Sequence, residues 1–383
     1  MPNSLRGKAA IVGVGLGGLG AAPGRTALEI LAEATHRALG DAALEMGDVD
    51  GLLVASAYHG VPTLSTAEYL GIRPRFSDGN MVGGSSFLTH IEIAAMALES
   101  GRCDVALVCY GSNQKTGAGR LVSMSEPPPW EHPYRPRLPM NAYALAAARH
   151  MHQYGTTRAH LAEVAVAARG WAQRNPEALM RDPLTISDVL KSRMVCDPLS
   201  LLDCCLVTDG GAALVMVRAE RADDFPKPPA FVLGTGHAHW HRQISQMPDL
   251  TVTAASESGP RAFEMAGLAP EDVDVLELYD AFTINTILFL EDLGYCPKGE
   301  GGRFVEGGRI APGGALPVNT NGGGLSCCHP GMYGMFTLVE GVRQLRGEAG
   351  DRQIEGAEVA LCHGNGGVLS SQSTVILGTG ATL

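Results

Sequence analysis

Apolar stretches and polar turns alternate along this chain in an order that predicts strands and helices taking turns. An apolar strand over residues 9–14 leads through a glycine-rich turn to a helix near residues 26–39. A long apolar helix is expected over about residues 87–98, then a strand over 104–110, and a further helix over about 335–345. The pattern occurs twice. Residues 44–54 (LEMGDVDGLLV) are matched by residues 268–278 (LAPEDVDVLEL), and in both copies a helix ends, an Asp-Val-Asp turn follows and a buried strand begins. Gly13-Val14-Gly15 recurs as Gly234-Thr235-Gly236, and Asp209-Gly210-Gly211 has a counterpart in Asn365-Gly366-Gly367. A repeat this long is no solenoid unit. It reads as two fused copies of one α/β domain, residues 1–225 and 226–383, with strand ends meeting at a shared seam.

Two glycine-rich segments mark helix mouths at that seam: Asn80-Met81-Val82-Gly83-Gly84-Ser85-Ser86 and Asn319-Thr320-Asn321-Gly322-Gly323-Gly324, the second running on through His329-Pro330. The unpaired N–H groups of a helix start suit an oxyanion or a carbonyl. The spacing from Gly83 to Asp209, against that from Gly322 to Asn365, places an insertion of roughly 80 residues in the first copy, at about 115–195. It holds a proline-rich segment and a helical run over 143–175, and reads as a lid or binding loop.

Composition narrows the function classes. A net charge of −11 argues against nucleic acid as the main partner, which needs a basic face. No apolar run reaches the ~18 residues of a membrane span, and the N-terminus carries no charged-then-apolar signal pattern. Nine cysteines without a C-x-x-C pair suit a reduced, cytoplasmic protein without a structural zinc. Gly13-x-Gly15-x-x-Gly18 fits a dinucleotide fingerprint poorly, because Pro23-Gly24 intervenes before the helix and no acid ends the second strand. His237, His239 and His241 alternate along an extended segment without a further acid or thiolate at matching spacing, so no metal site is expected.

The blocks Asp197-Pro198 through Asp209-Gly210-Gly211, Glu277-Leu278-Tyr279-Asp280-Ala281-Phe282, Asn319-x-Asn321-Gly322-Gly323, His329-Pro330 and Cys362-His363-Gly364-Asn365-Gly366-Gly367 resemble the thiolase superfamily, and within it the sterol-carrier or lipid-transfer-protein type. The resemblance covers the whole chain. It implies a duplicated, five-layered α/β/α/β/α fold, a dimer, and a CoA thioester as substrate with no other cofactor. The departures are informative. Where a thiolase carries its nucleophilic cysteine this chain has Gly83, which cannot form an acyl-enzyme, and Ser85 and Ser86 have no evident base. Tyr279 and Asp280 replace Asn or His and Glu, and Tyr333 follows the His-Pro block.

Loss of the nucleophile with gain of two tyrosines resembles the thiolase-like aldolases of bacterial steroid side-chain degradation. That resemblance implies a lyase cutting a bulky β-hydroxyacyl-CoA to a ketone and a shortened acyl-CoA, and a small OB-fold and zinc-ribbon protein as partner. The residues it singles out are Tyr279 and Tyr333 as proton carriers, His329 as a donor to the thioester oxygen, and Gly83, Asp280 and Gly364 as substrate-binding positions. A phenol starting from a pKa near ~10 needs help from neighbours to act as a base. Anionic Asp280 is a poor helper; His329 or a helix N-terminus is a better one. Each residue also has a plain structural reading: Tyr279 as a core tyrosine, Tyr333 as turn packing, Asp280 as a loop clasp, Cys362 as an inert core thiol. Met81, Met332 and Met335 would suit a bulky acyl group. Two alternatives stand beside the aldolase: a thiolase-type acyltransferase with a relocated nucleophile such as Cys362, and a non-catalytic acyl-CoA-binding subunit.

Overall fold

The computed structural model describes residues 5–117 and 127–383. Residues 1–4, on which the N-terminal reading partly rests, and 118–126 of the expected insertion lie outside the described residues. The first copy runs β1 (Ala9–Gly20), α1 (Ala27–Asp41), β2 (Gly51–Val54), α2 (Pro62–Leu70), β3 (Phe76–Asp78), α3 (Ser86–Glu99) and β4 (Ala106–Ser112). It then departs through α4 (Met140–Tyr154), α5 (Arg158–Ala172), α6 (Ile186–Lys191) and a short hairpin of β5 (Met194–Cys196) and β6 (Leu199–Ser200), returning in β7 (Asp209–Arg218). The second copy runs β8 (Ala230–His239), α7 (Ala255–Ala266), β9 (Val275–Leu278), α8 (Thr283–Asp292), α9 (Gly301–Phe304), α10 (Gly334–Leu345), β10 (Val359–Gly366) and β11 (Ser371–Gly378).

The strand order β3-β2-β4-β7-β1-β8-β11-β10-β9 is a half-sheet and its repeat, joined where β1 meets β8 over Ala10↔Phe231 and Ile11↔Ala230. In each half the strand after the Asp-Val-Asp turn pairs in parallel with its neighbour, β2 with β4 and β9 with β10, while the remaining long strands are antiparallel. Even the β2–β3 pairing has its echo, in the parallel bridge Leu276↔Val318. Helix α1 covers the first half-sheet and α7 the second, while α3 and α10 touch each other and strands of both halves. The two half-sheets of this one nine-stranded sheet, with α1 and α7 covering them and α3 and α10 packed against both, give the expected layered α/β/α/β/α arrangement.

Three expectations need correction. The glycines of Gly13-x-Gly15 lie within β1, in no turn. A Cβ on Gly13 or Gly15 would stand 2.2 Å from the carbonyl oxygen of Ala38 or Ala34, and on Gly234 or Gly236 2.1 Å from that of Ala262 or Ser258. Glycine at alternate positions clears one strand face so that α1, and by symmetry α7, lies against the backbone. Asp209-Gly210-Gly211 opens β7 while Asn365-Gly366 closes β10, so these two segments are not symmetry mates; the mate of β7 is β11.

The third correction concerns the insertion, which separates β4 from β7 over residues 113–208 where residues 367–370 suffice between β10 and β11. It is no detached lid. Ala142, Tyr143, Ala146 and Ala147 of α4, and Leu161, Val164, Ala168 and Ala172 of α5, are buried in the main core. The expected single helix over 143–175 breaks at Gly155, whose φ of 76° ends α4 in a left-handed turn. Thr157 then caps α5 by accepting from the His160 N–H.

Candidate active site

The mouth of α3 has no room for a nucleophile. Gly83 holds a φ of +82°, and a Cβ there would lie 2.6 Å from the Gly367 nitrogen. A Cβ on Gly84 would lie 2.2 Å from Cε2 of Tyr279 and 2.7 Å from the Asn365 oxygen. The two serines that follow are engaged. Ser85 Oγ donates to the Val82 carbonyl and stands 2.6 Å from Ser371 Oγ, while Ser86 Oγ accepts from the Val82 N–H at 2.9 Å. The Tyr279 ring therefore occupies the place a side chain on the first turn would need. A Gly84→Ala variant should lose about 1–3 kcal/mol of stability by overpacking, with its near-ultraviolet tyrosine signal altered. Urea denaturation reads the first effect; unchanged stability would mean the ring is not held there.

Tyr279 stands at the end of β9, where strand ends of both halves converge. Its N–H donates to the His363 carbonyl at 3.0 Å and its hydroxyl to the Gly331 carbonyl at 3.2 Å. Tyr333 directly precedes α10, and its hydroxyl donates at 2.8 Å to Asn321 Oδ1, which also accepts from the Gly323 N–H. His329 completes the group. Ring centroids are 5.7 Å apart for Tyr279 and Tyr333, 5.4 Å for Tyr279 and His329, and 6.1 Å for His329 and Tyr333. The structure thus brings together all three residues singled out as catalytic, each nearly or fully buried.

Neither ring nitrogen of His329 has a hydrogen-bond partner, although the residue is 5% exposed. Burial pushes its pKa down to about 4, so the imidazole is neutral and keeps one N–H donor and one lone pair unspent. Leaving such a group unpaired costs about 1–3 kcal/mol. Its backbone, by contrast, is held firmly. The His329 N–H donates to Thr208 Oγ1 at 3.0 Å and its carbonyl accepts from Thr208 and Gln114. Tyr58 and Tyr110 both donate to the Pro330 carbonyl, and Tyr58 also to Gln114 Oε1. Tyr58 and Tyr110 were not singled out from sequence. The available signal was the place of Tyr110 near the end of β4 and of Tyr58 in the loop after β2, strands whose mates lead into the site.

Burial pushes both phenols well above their ordinary value, but not in the same way. The Tyr333 backbone N–H, at the start of α10, faces the Tyr279 oxygen and offsets part of the rise. On Tyr333 the field of Asp280 adds to the rise. Asp280 itself is fully buried, accepting from the Gly324 N–H at 2.6 Å and the Leu325 N–H at 3.4 Å, and so clasps the wide turn over Gly323–Cys327. Burial lifts its carboxyl to about 7. It is therefore not the permanent anion assumed from its residue type.

The remaining residues fall outside this cluster or in its frame. Gly364 lies in β10 opposite Ser373, and a Cβ there would stand 2.6 Å from Leu88 Cδ1, so its bareness lets α3 approach. The Cys362 thiol donates to the Thr337 carbonyl at 3.3 Å, and burial pushes it well above its ordinary pKa. His363 bonds Thr374 and Gln372 with its two nitrogens. Met332 and Met335 are core residues, whereas Met81 is exposed. His237 pairs with Glu92 and His241 with the Val368 carbonyl. Among the described residues, no group of three or more His, Cys, Asp or Glu side chains could hold a metal ion, and no helix is long and apolar enough to cross a membrane.

Comparisons with known proteins place this chain among thiolase-like proteins. The family model described as thiolase C-terminal domain-like matches residues 236–379. The acetyl-CoA acetyltransferase of Methanothermobacter thermautotrophicus is 36% identical over 361 residues, spanning 88% of this chain and 91% of that protein. The steroid side-chain-cleaving aldolase of Thermomonospora curvata is 34% identical over 385 residues, spanning 94% and 96%. A solved structure described as Ltp2-ChsH2(DUF35) aldolase superposes with a TM-score of 0.90 at 32% identity, covering 98% of this chain and 99% of that one.

Proposed function

We propose that this chain, which belongs to the thiolase superfamily, is an acyl-CoA aldolase that cleaves a bulky β-hydroxyacyl-CoA of the steroid side-chain kind into a ketone and a shortened acyl-CoA. One observation carries the reading: two phenols and an unpaired neutral imidazole meet at a helix mouth where neither Gly83 nor Gly84 can bear a nucleophile. Covalent acyl transfer has no atom to start from there. An enolate, however, needs only a donor at its oxygen and two groups that move protons.

The chemistry follows from the two phenols' different surroundings. Tyr279, next to the N-terminal amide of α10, is the one whose anion is favoured, and it takes the proton of the β-hydroxyl. The Cα–Cβ bond breaks, Cβ becomes the ketone carbon, and the electron pair moves into the thioester enolate. The His329 N–H stabilises the enolate oxygen. Tyr333, kept protonated by burial and by Asp280, delivers a proton to Cα. The net change moves one proton from oxygen to carbon, and the phenols exchange a proton to reset. Asp280 and the Gly323–Cys327 turn form the frame beside His329 and Asn321, while Gly83 and Gly364 let the α3 mouth pack against the end of β10 and shape the site from behind.

A base whose pKa lies above the working pH is mostly protonated, so its active fraction rises about tenfold for each pH unit. The cleavage rate should therefore climb with pH across the neutral and mildly alkaline range, with a logarithmic slope near one. A rate that rises to half its maximum near pH 7 and levels off above it would instead make Asp280 the base. The reaction class is tested by incubation with a panel of β-hydroxyacyl-CoA thioesters; a carbonyl product identified by mass spectrometry is the expected result.

We assign a homodimer and a small OB-fold and zinc-ribbon subunit as partners. Val61, Leu64, Tyr69 and Met81 expose an apolar face beside the edge strand β3, which fits a second copy. Trp130 and Tyr134 of the insertion are 66% and 84% exposed, which fits the smaller subunit. A cytoplasmic location suits nine free cysteines.

A further inference from the structure

The insertion brings one more phenol to the seam, and the scheme above does not use it. Tyr143 of α4 is buried and stacks on Phe282, three residues after Tyr279, with ring centroids 4.4 Å apart. Its oxygen accepts from Asn365 Nδ2 at 2.8 Å, while its own proton has only a slack contact of 3.5 Å to the Gly367 carbonyl. The direction of that first bond is set from behind. Gln372 Nε2 donates to Asn365 Oδ1, and Gln372 Oε1 accepts from His363 Nε2, whose other nitrogen meets Thr374. With its oxygen so occupied, Asn365 can only present its amine side to Tyr143.

Beside this phenol lies Asn285, in the first turn of α8. It is completely buried, its amide faces the Tyr143 oxygen, and neither Nδ2 nor Oδ1 completes a hydrogen bond. A core position that only needed filling would carry leucine, since a buried amide with both ends unpaired is destabilising. An orphaned donor, an orphaned acceptor and a loosely held O–H therefore stand together next to the catalytic tyrosine.

We propose that Asn285 and Tyr143 form the subsite for the oxygen on the β-carbon of the acyl chain. The assignment rests on the aldolase reading and deepens it. In the substrate that oxygen is a hydroxyl, whose proton points to Tyr279 and whose lone pairs need donors. In the product it is a ketone, which needs donors alone. The unpaired Asn285 amide N–H and the loosely held Tyr143 proton supply donors in both states.

The test is a binding comparison with two probes, a cyclopentylacetyl-CoA bearing the β-hydroxyl and the same thioester without it. Calorimetry uses the full chain in a Tyr279→Phe background, which binds the hydroxylated probe and does not turn it over, with any subunit that co-purifies. The parent protein should prefer the hydroxylated probe. Asn285→Leu and Tyr143→Phe should each weaken that probe about tenfold and leave the other within about twofold. Equal weakening of both probes would make these residues part of the fold alone and overturn the subsite. So would an unchanged preference in both variants, or a parent that does not distinguish the probes. Because binding is read without turnover, a chain with Tyr279 intact that fails to cleave the hydroxylated probe counts against the aldolase reading, and the probe preference still tests the subsite.

Discussion

The Tyr279→Phe variant is expected to lose about 10²- to 10⁴-fold in kcat for carbon–carbon cleavage, with KM for the β-hydroxyacyl-CoA within a few-fold of the parent. The change removes one oxygen atom from a ring that is otherwise held by packing across the α3 mouth, so the fold and the pocket walls remain. In energy the loss corresponds to about 3–5 kcal/mol of transition-state stabilisation. Tyr333→Phe should fall in the same range, with a distinguishing mark. It leaves the base in place, so its remaining activity should keep the alkaline climb, whereas Tyr279→Phe should flatten it. If both variants, folded and binding CoA thioester, turned over at the parent rate, the phenols would be core residues and nothing more.

The second large effect has two signs. His329→Phe keeps the ring volume and removes both nitrogens, and it should lower kcat by about 10²- to 10³-fold through loss of the enolate donor. The same change should raise stability, because a buried imidazole with neither nitrogen paired is replaced by a ring that needs no partner. The expected gain is about 1–3 kcal/mol, measured by urea denaturation at neutral pH. It should grow as the pH falls. His329 is held neutral down to about pH 4, so below its ordinary value near 6.5 the unfolded chain takes up a proton that the folded parent refuses. The parent loses stability there and the phenylalanine variant does not. A variant that lost activity and stability together would place His329 among structural residues.

The duplication was legible in the sequence for a physical reason, whereas Tyr279, Tyr333 and His329 were singled out by the family resemblance. A strand of four buried residues after an Asp-Val-Asp turn has few alternatives, and Tyr279 follows β9 directly, where a strand end must face the seam. The glycines of β1 were misread because alternate glycines on a strand and a glycine-rich turn share the same spelling; only the 2.2 Å approach to α1 tells them apart. Asp209-Gly210-Gly211 and Asn365-Gly366-Gly367 look alike but serve opposite ends of different strands. Tyr58, Tyr110 and Tyr143 come from a loop, a strand and a helix far apart in sequence, and their meeting with the His329 loop or with Tyr279 is a product of tertiary packing. The shifted carboxyl of Asp280 was illegible too, since its cause is the covering of the Gly323–Cys327 turn and not any neighbour in sequence.

The most direct test is the stoichiometry of cleavage in deuterated water with no free CoA added. Non-covalent retro-aldol chemistry predicts one ketone for each shortened acyl-CoA, with one deuterium at Cα and no acyl group on the protein by intact mass. Cleavage that proceeds only when free CoA is supplied, or an acylated chain captured during turnover, would contradict it.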